Sequence, residues 1–205
     1  MRSANRQYPV KSTFMTNPLH TFQAWLDDAK RHGVHEPTAM ALATVDEHNH
    51  PSVRMVLLKH ADEQGFVFYT NTESPKALDL DHCPFASLCF YWNPPGRQVR
   101  VNGRVELVST EEADAYFNSR PYLSRIGARA SRQSQPLDGY AELERAVASE
   151  MVRHPRGRVP RPKNWTGYRV IPQMIELWQE RPFRMHERLQ YTRAGSRWNE
   201  QPLFP

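Results

Sequence analysis

The stretch that decides the fold reads Arg54-Met-Val-Leu-Leu-Lys59, His60-Ala-Asp-Glu-Gln-Gly65 and Phe66-Val-Phe-Tyr-Thr70. Two runs of aliphatic, β-branched and aromatic residues flank a polar segment that ends in glycine. This pattern is typical of a β-hairpin with a short loop. The sequence therefore predicts that the two runs form paired strands near the centre of the chain.

Positive charge lies at both ends of the first run, at Arg54 and Lys59. An odd separation places the two cations on opposite faces of an ideal strand, unless a bulge or a twist redirects one of them. One interpretation is a barrel strand with two solvated ends. The other is a strand that lies along a flat ligand and directs its cations at the anionic groups of that ligand.

Length and composition limit the classes of protein to consider. The 205 residues, of which 39% are hydrophobic and 24% charged, suit one globular domain with a full core. No apolar run is long enough for a membrane span, and the first residues lack the apolar core of a secretion signal. We therefore expect a cytoplasmic protein without a membrane partner.

Cysteine content and charge narrow the choice of ligand. Cys83 and Cys89 are too few for a disulfide framework or a zinc knuckle, so both are expected to be reduced and no metal is predicted. The net charge of +5 comes from lysines and arginines scattered along the chain. Cations that converge only in the folded protein favour a small anionic ligand over nucleic acid.

Hydrophobic periodicity predicts the main elements. Residues 1–16 are expected to form a mobile arm, and residues 17–205 a single domain whose first helix begins at Asn17-Pro18 and ends at Gly33. Strands are predicted at Ala39 to Val45, Val53 to Lys59, Phe66 to Thr70, Phe85 to Trp92, Arg97 to Leu107, Tyr168 to Ile171, Met174 to Trp178, Arg188 to Thr192 and Arg197 to Leu203. Sequential antiparallel strands in this number favour a small barrel with flanking helices, which leaves no exposed edge.

Two predicted helix regions carry polar groups that suit an anion. Ser74 and Pro75 begin a helix directly after the third strand, and a helix N-terminus with Lys76 beside it is a ready anion site. A second helix begins at the capping box Ser109-Thr-Glu-Glu112 and runs to about Ser119. The segment Gly127 to Ser134 is small and polar, which indicates a loop or a short helix near a ligand.

Three side chains at the end of that second helix are candidates for phosphate binding. Tyr116 and Arg120 are four residues apart, so they project from one face, and Ser124 follows after the break at Pro121. A phenol, a guanidinium and a hydroxyl so placed can donate together to one phosphate. Packing of Tyr116 and solvation of Arg120 would explain the same spacing.

Taken together, these residues resemble the FMN-dependent pyridoxamine 5'-phosphate oxidase family, which includes the phenazine-biosynthesis flavin oxidases. The resemblance covers nearly the whole chain from Asn17 to Pro205 and rests on an ordered set of motifs, none of which suffices alone. These motifs are Arg54-Met-Val-Leu-Leu-Lys59, Tyr69-Thr70, Ser74-Pro-Lys76, Arg97-Gln98-Val, Tyr116-Phe-Asn-Ser-Arg120-Pro, Gln133-Ser134, Glu176-Leu-Trp178-Gln and Arg184-Met-His186-Glu-Arg188.

The resemblance implies a split β-barrel that forms a homodimer with two FMN sites at the subunit interface. One subunit would bind FMN through Arg54, Met55, Val56, Leu57, Leu58, Lys59, Tyr69, Thr70 and Lys76. The partner would contribute Gln98, Gln133, Ser134, Trp178 and Arg188. The phosphate of a small anionic aromatic substrate would bind Lys59, Tyr116, Arg120 and Ser124, and Arg184 and His186 would hold the substrate ring over the flavin.

The implied reaction is the oxidation of pyridoxamine or pyridoxine 5'-phosphate to pyridoxal 5'-phosphate. Hydride passes to FMN, and O2 then reoxidises the flavin and gives H2O2. Arg184 and His186 would be the catalytic pair, while the rest of the site aligns the two rings. His186 is expected to hydrogen-bond the reacting amine or alcohol and ease loss of its proton.

Several residues depart from the family's pattern and keep two alternatives open. Pro75 stands where Arg is usual, Arg129 where Trp is common and Glu187 where Asp is usual, and the N-terminal arm lacks a clear Arg-x-x-Tyr segment. Glu187 and the arm favour a phenazine-type oxidase that acts on a dihydrophenazine carboxylate, whereas the complete phosphate site favours a phosphorylated substrate. The other alternative is a non-catalytic flavin-binding split barrel, which would have no need of Arg184 and His186.

Overall fold

A computed structural model describes residues 17–205 of the protein, so the arm predicted for residues 1–16 lies outside the described residues. Strands dominate the fold and five α-helices flank them. The helices are α1 (Pro18–Arg31), α2 (Pro75–His82), α3 (Thr110–Ser119), α4 (Tyr122–Ala130) and α5 (Tyr140–Arg153), with short 3-10 turns at Pro155–Gly157 and Pro182–Arg184. The strands are β1 (Ala39–Val45), β2 (Pro51–Leu57), β3 (His60–Asp62), β4 (Gly65–Asn71), β5 (Phe85–Trp92), β6 (Arg97–Leu107), β7 (Trp165–Gln179), β8 (Glu187–Ala194) and β9 (Arg197–Leu203).

One antiparallel sheet contains all nine strands and curls into a half-barrel. Its order is β2-β1-β5-β6-β7-β4-β3, and β8 pairs with the far end of β7 and with β9. The chain closes the curl between β2 and β3, where Leu58 N donates to Thr38 O and Lys59 N donates to Val67 O, each at 2.8 Å. The predicted fold class, a mainly β split barrel with flanking helices, is therefore confirmed.

The predicted hairpin between the two central runs is wrong in its pairing. β2 pairs with β1, with Met55 opposite Ala41, and it forms no ladder with β4. β4 pairs instead with β7 and with the short β3, which lies in the segment predicted as a loop. The Asp62 carboxylate accepts from the backbone N–H groups of Gln64 and Gly65 at 2.8 and 3.2 Å, and these bonds close the turn. Since β2 ends at Leu57, its cation Arg54 and the later Lys59 are not in one strand.

The two strands predicted from Tyr168 to Ile171 and from Met174 to Trp178 are one continuous strand, β7. Pro172, which cannot donate to a ladder, lies between the two predicted segments. The ladder with β6 instead shifts register between Asn102 and Gly103. A Cβ at Gly103 would lie 2.0 Å from Ile171 O, so this close approach requires glycine.

Aromatic packing fills the inside of the half-barrel and fixes α1 against it. The Phe22 ring meets the rings of Phe66 and Phe90 edge-on at 4.9 and 5.0 Å between centroids, a favourable arrangement for aromatic pairs. A second cluster of Phe117, Ile126, Val159 and Trp165 lies under α3 and α4. This second cluster positions the site described next. Across residues 17–205, the helices are too short or too polar to traverse a lipid bilayer.

Candidate active site

A cavity of about 590 Å³ lies where β2, β4, the start of α2 and the α3–α4 corner meet. Eleven of the residues predicted to bind a cofactor or a substrate line it: Met55, Val56, Leu57, Lys59, Tyr69, Thr70, Lys76, Tyr116, Arg120, Ser124 and Gln133. The remaining lining residues are Asn71, Pro121, Gly127, Ala128, Ser131 and Trp165. Segments that are far apart in sequence thus converge on one site, as predicted.

Lys76 is a buried cation in the cavity wall, with only 8% of its surface exposed. Its Nζ donates to Thr70 Oγ1 at 3.2 Å, to Ser74 Oγ at 3.0 Å and to Gln133 Oε1 at 3.3 Å. All three acceptors are neutral. Burial lowers the pKa of Lys76 below its ordinary value of 10.5, and the nearby Arg54 lowers it further. A buried ammonium group with only neutral partners is ready to receive an anion.

Arg54 lies behind the cavity wall and is not among the residues that line it. Its guanidinium donates to Thr44 Oγ1 at 2.6 Å and to Ser52 Oγ at 2.7 Å, and it lies 3.5 Å from the Asp79 carboxylate. Thr44 in turn donates to Asp79 at 2.5 Å. Sequence reasoning missed Thr44 and Asp79; the placement of Asp79 one helical turn after Lys76 was the available signal.

The phosphate-binding candidates Tyr116, Arg120 and Ser124 all reach the same cavity, as their spacing predicted. Tyr116 also packs, because its ring stacks on that of Tyr69 at 4.1 Å between centroids. Burial raises the pKa of Tyr69 to about 12, so its hydroxyl remains protonated at neutral pH. Arg120 Nη1 is buried and has no hydrogen-bond partner among the described residues. Tyr116 thus packs against Tyr69 and also lines the cavity, whereas Arg120 is not simply solvated.

Gln133 was expected to come from the partner subunit, and the structure corrects its placement. Gln133 Oε1 accepts from Thr70 Oγ1 at 2.9 Å and from Asn71 N at 3.4 Å of the same chain. The segment after α4 therefore folds back onto β4 and closes the cavity of its own subunit. Ser134 has a positive φ of 68° and does not line the cavity.

Three other predicted FMN residues form one row on the outer face of the sheet. Gln98 of β6 pairs with Trp178 of β7, which pairs with Arg188 of β8. Directly paired residues in an antiparallel sheet point to the same face. These side chains are far from each other in sequence but adjacent in space, and they lie outside the cavity of their own chain. Leu58, also predicted to bind FMN, is buried in the main core.

A buried carboxylate holds the cations of this outer face. Glu176, 3% exposed, accepts from Arg188 Nε and Nη2 at 2.9 and 2.7 Å and from Arg100 Nη1 at 3.1 Å. Arg188 Nη1 also donates to Phe204 O at 3.1 Å. Arg188 is therefore paired with a carboxylate of its own chain, whereas Lys76 donates only to neutral acceptors.

Arg184 and His186 lie next to this row, in the turn between β7 and β8. Phe183 and Arg184 have positive φ values of 60° and 59°, a strained conformation for residues with a side chain. His186 Nδ1 accepts from Arg181 N at 3.2 Å, and its ring lies 4.7 Å from that of Trp178. Neither Arg184 nor His186 lines the cavity of the same chain.

The departures from the family's pattern have local explanations in the fold. Pro75 is the first residue of α2, where proline suits the helix start. Arg129 donates to the buried Glu150 at 2.7 Å and ties α4 to α5. Glu187 accepts from Arg181 at 2.7 Å within the turn that carries His186.

A curled antiparallel half-barrel with a cationic cavity at its helix-covered edge defines the class of FMN-binding split barrels. A solved pyridoxamine 5'-phosphate oxidase-related, FMN-binding protein from Nostoc punctiforme shares this fold, with a TM-score of 0.77 at 19% identity over 94% of this chain and 100% of that one. Residues 26–151 match the family model "Pyridoxamine 5'-phosphate oxidase", and residues 165–205 match the "Pyridoxine 5'-phosphate oxidase C-terminal dimerisation region". The chain belongs to the pyridoxamine 5'-phosphate oxidase family, and the second match supports a homodimer.

Individual relatives are similar over almost their whole length. The pyridoxine/pyridoxamine 5'-phosphate oxidase of Azorhizobium caulinodans is 51% identical over 97% of this chain and 96% of its own. The protein of the same name from Sinorhizobium fredii is 50% identical over 99% and 100%. The structure of PhzG from Burkholderia lata, in complex with tetrahydrophenazine-1-carboxylic acid, has a TM-score of 0.89 at 29% identity over 98% of both chains.

Proposed function

We propose that this protein is an FMN-dependent oxidase that converts pyridoxine or pyridoxamine 5'-phosphate to pyridoxal 5'-phosphate with O2 as the final electron acceptor. Near full-length relatives of this name, at about half identity, support the substrate class. The observation that carries the proposal is one cavity lined by three cations, Lys59, Lys76 and Arg120, with no carboxylate bound to any of them in the described part of the chain. Two phosphate-bearing ligands, the cofactor and the substrate, would supply the missing negative charge.

The cavity residues fit FMN. The buried Lys76 and the start of α2 would hold its phosphate, and Arg54 would add positive charge from behind the wall. The chain from Met55 to Lys59, with Tyr69, Thr70 and Gln133, would line the rest of the cofactor. The partner subunit would add Ser134 and the row Gln98, Trp178 and Arg188. Leu58, whose side chain is buried in the core, would contact the cofactor through its backbone. When bound, FMN supplies the hydride acceptor and the reaction with O2.

Lys59, Tyr116, Arg120 and Ser124 would bind the substrate phosphate. All four line the cavity, and the unpaired Arg120 Nη1 provides a donor that the protein itself does not satisfy. Positive charge on Lys59 and Arg120 favours a substrate with a dianionic group. This arrangement holds the substrate at one end and leaves its ring to be aligned by other residues.

Arg184 and His186 of the partner subunit would align the substrate ring. Because His186 Nδ1 accepts from Arg181 N, the neutral ring carries its proton on Nε2. In this tautomer His186 donates a hydrogen bond to the reacting amine or alcohol. Acceptance of a proton by His186, the role expected from sequence, requires the contact with Arg181 to break.

The decisive experiment is anaerobic titration of the purified holoenzyme, followed in the visible absorption spectrum. Pyridoxine 5'-phosphate should bleach the flavin bands within seconds, and O2 should restore them with one equivalent of H2O2. A yellow protein that no phosphorylated vitamer bleaches would contradict the proposed activity and would favour a non-catalytic flavin binder.

The phenazine-type oxidase is the second candidate, because PhzG superimposes closely and Glu187 departs from the family pattern. The higher identity to the pyridoxine/pyridoxamine 5'-phosphate oxidases favours the first candidate. Parallel titrations with pyridoxine 5'-phosphate and a dihydrophenazine carboxylate separate the two. Faster bleaching by the dihydrophenazine would reverse the assignment.

A further inference from the structure

We infer that Trp165 is a positioning residue, whose indole holds the Arg120 guanidinium with one N–H edge turned to the substrate phosphate. This inference deepens the proposed function and rests on it for the identity of the anion. Trp165 is the first residue of β7 and belongs to none of the motifs that carried the family resemblance. It lines the cavity and is 7% exposed.

Arg120 lies over Trp165 and not beside an acid. The guanidinium carbon is 4.9 Å from the centroid of the Trp165 ring and 5.7 Å from that of Phe117. Phe117 meets Trp165 edge-on at 5.0 Å, which fixes the corner in which the guanidinium lies. An indole attracts a guanidinium through its ring face, so the N–H groups in the guanidinium plane remain available for an anion.

Two nearly parallel aromatic rings also pack against Trp165. Tyr69 stacks on Trp165 at 5.1 Å with an interplanar angle of 12°, and Tyr116 lies 6.2 Å away at 8°. Gly167, opposite Tyr69 in the ladder, makes this possible, because a Cβ there would lie 2.6 Å from Tyr69 Cε1. The indole therefore has little freedom to tilt.

The backbone of Trp165 is also anchored to the helix that carries Arg120. Arg161 Nη1 donates to Trp165 O at 2.7 Å, and Arg161 Nε donates to Asp114 of α3 at 2.6 Å. Arg161 thereby ties the start of β7 to α3. Trp165 and Arg120 form one rigid unit even though 45 positions of sequence separate them.

Arg120 lines the cavity, and its buried Nη1 has no hydrogen-bond partner among the described residues. A buried donor without an acceptor destabilises a protein, so proteins seldom retain one without a ligand to satisfy it. A salt bridge to a carboxylate would occupy the same edge that a phosphate needs. Stacking on Trp165 holds the guanidinium without using that edge.

The test compares Trp165→Leu with Trp198→Leu in the holoenzyme. Trp198 is a matched control, since Arg193 lies over it at the same 4.9 Å but outside the cavity. Trp165→Leu should raise KM for pyridoxine 5'-phosphate about tenfold and leave kcat within about twofold, a size that corresponds to one desolvated cation–π contact. Trp198→Leu should leave both constants unchanged.

A double-mutant cycle shows whether Trp165 acts through Arg120. In an Arg120→Ala background, Trp165→Leu should cause no further rise in KM. An equal rise in both backgrounds, or a loss of kcat at constant KM, would overturn the inference. If Trp165→Leu fails to fold, Trp165→Phe and Arg120→Lys replace it, because Arg120→Lys keeps the charge but loses the planar stack and should raise KM similarly.

Calorimetric titration with inorganic phosphate separates this inference from the proposed function. Phosphate binding that weakens about tenfold in Trp165→Leu supports the positioning role even if the wild-type holoenzyme oxidises no vitamer. Phosphate affinity equal in Trp165→Leu and wild type contradicts the role, whatever the activity.

Discussion

Two groups of cations in this protein differ in the partners that surround them. On the outer face of the sheet, Arg100 and Arg188 flank the buried carboxylate of Glu176. In the cavity, Lys76 meets only neutral oxygens, and Arg120 meets aromatic rings. The first group shares a buried carboxylate of the protein, whereas the second has no carboxylate as a hydrogen-bond partner among the described residues.

The difference separates structural charge from functional charge. A buried cation costs free energy unless it is paired, so the cavity cations are maintained at the expense of stability. Such a cost is expected where a ligand supplies the opposite charge. The lack of a carboxylate partner for the cavity cations therefore supports the proposed anion site better than the number of cations does.

Substitution of Lys76 should give the largest effect. Lys76→Met should raise the dissociation constant of FMN about 100-fold, because the phosphate loses a buried charged donor. Calorimetric titration of the deflavinated protein with FMN measures this change. Lys30→Met, which removes a surface cation paired with Asp27, is the control. A change of less than about threefold in Lys76→Met would remove Lys76 from the cofactor site.

The second-largest effect is expected when the charge of Glu176 on the outer face is removed. Glu176→Gln leaves Arg100 and Arg188 without their shared counterion, and the free energy of unfolding should fall by about 2–3 kcal/mol in urea titrations. Glu106→Gln, at an exposed pair 4.0 Å from Arg104, should change it by less than about 0.5 kcal/mol. Equal effects at the two positions would contradict the distinction between buried and exposed pairs.

The lowered pKa of Lys76 predicts a pH dependence of cofactor binding. The free protein loses the Lys76 proton at a lower pH than an ordinary lysine, and bound phosphate favours the charged form. FMN affinity should therefore fall as pH rises through this lowered pKa, by up to about tenfold per pH unit. Lys76→Arg, which stays charged, should remove the slope between pH 7 and 10. An identical slope in both proteins would assign the titration to another group.

The smallest effect is expected at Glu150, a second carboxylate neutralised within the chain. Its hydrogen bond from Arg129 holds its pKa below the ordinary value of 4.5. The stability from this depressed pKa is present above 4.5 and is lost as pH falls through the folded-state value. Glu150→Gln should lower the free energy of unfolding by about 1 kcal/mol at pH 7 and by less at pH 3. A loss that is the same at both values would show that packing, not charge, is responsible.

The sequence predicts the strands and the cavity better than it predicts the pairing of strands. Tyr116, Arg120 and Ser124 all line the cavity, although Arg120 follows the last residue of α3 and Ser124 belongs to α4, because residues this close in sequence stay close across the corner between the two helices. The predicted partner of β2 was wrong because an apolar run indicates that a strand exists but not which strand it pairs with. β7 was predicted as two strands because the register shift that keeps it continuous lies on its neighbour β6, at Gly103, and is not visible in the sequence of β7.

The missed residues of the site share one property: their roles depend on contacts across the fold. Asp79 and Thr44 matter only because β1, β2 and α2 converge on Arg54. The family resemblance assigned Gln133 to the partner subunit. The sequence alone does not show that the segment after α4 folds back onto its own chain. Trp165 resembles any buried aromatic residue until its contacts with Arg120 and Tyr69 are seen.

The position of Trp165 also gives the protein an internal optical reporter. Its indole is in the cavity wall, whereas Trp25 and Trp92 are enclosed in the main core. The emission of an indole responds to an aromatic ring system that arrives within a few ångströms. Cofactor uptake can therefore be timed by intrinsic fluorescence without a label, and Trp165→Phe identifies the part of the signal that comes from the cavity.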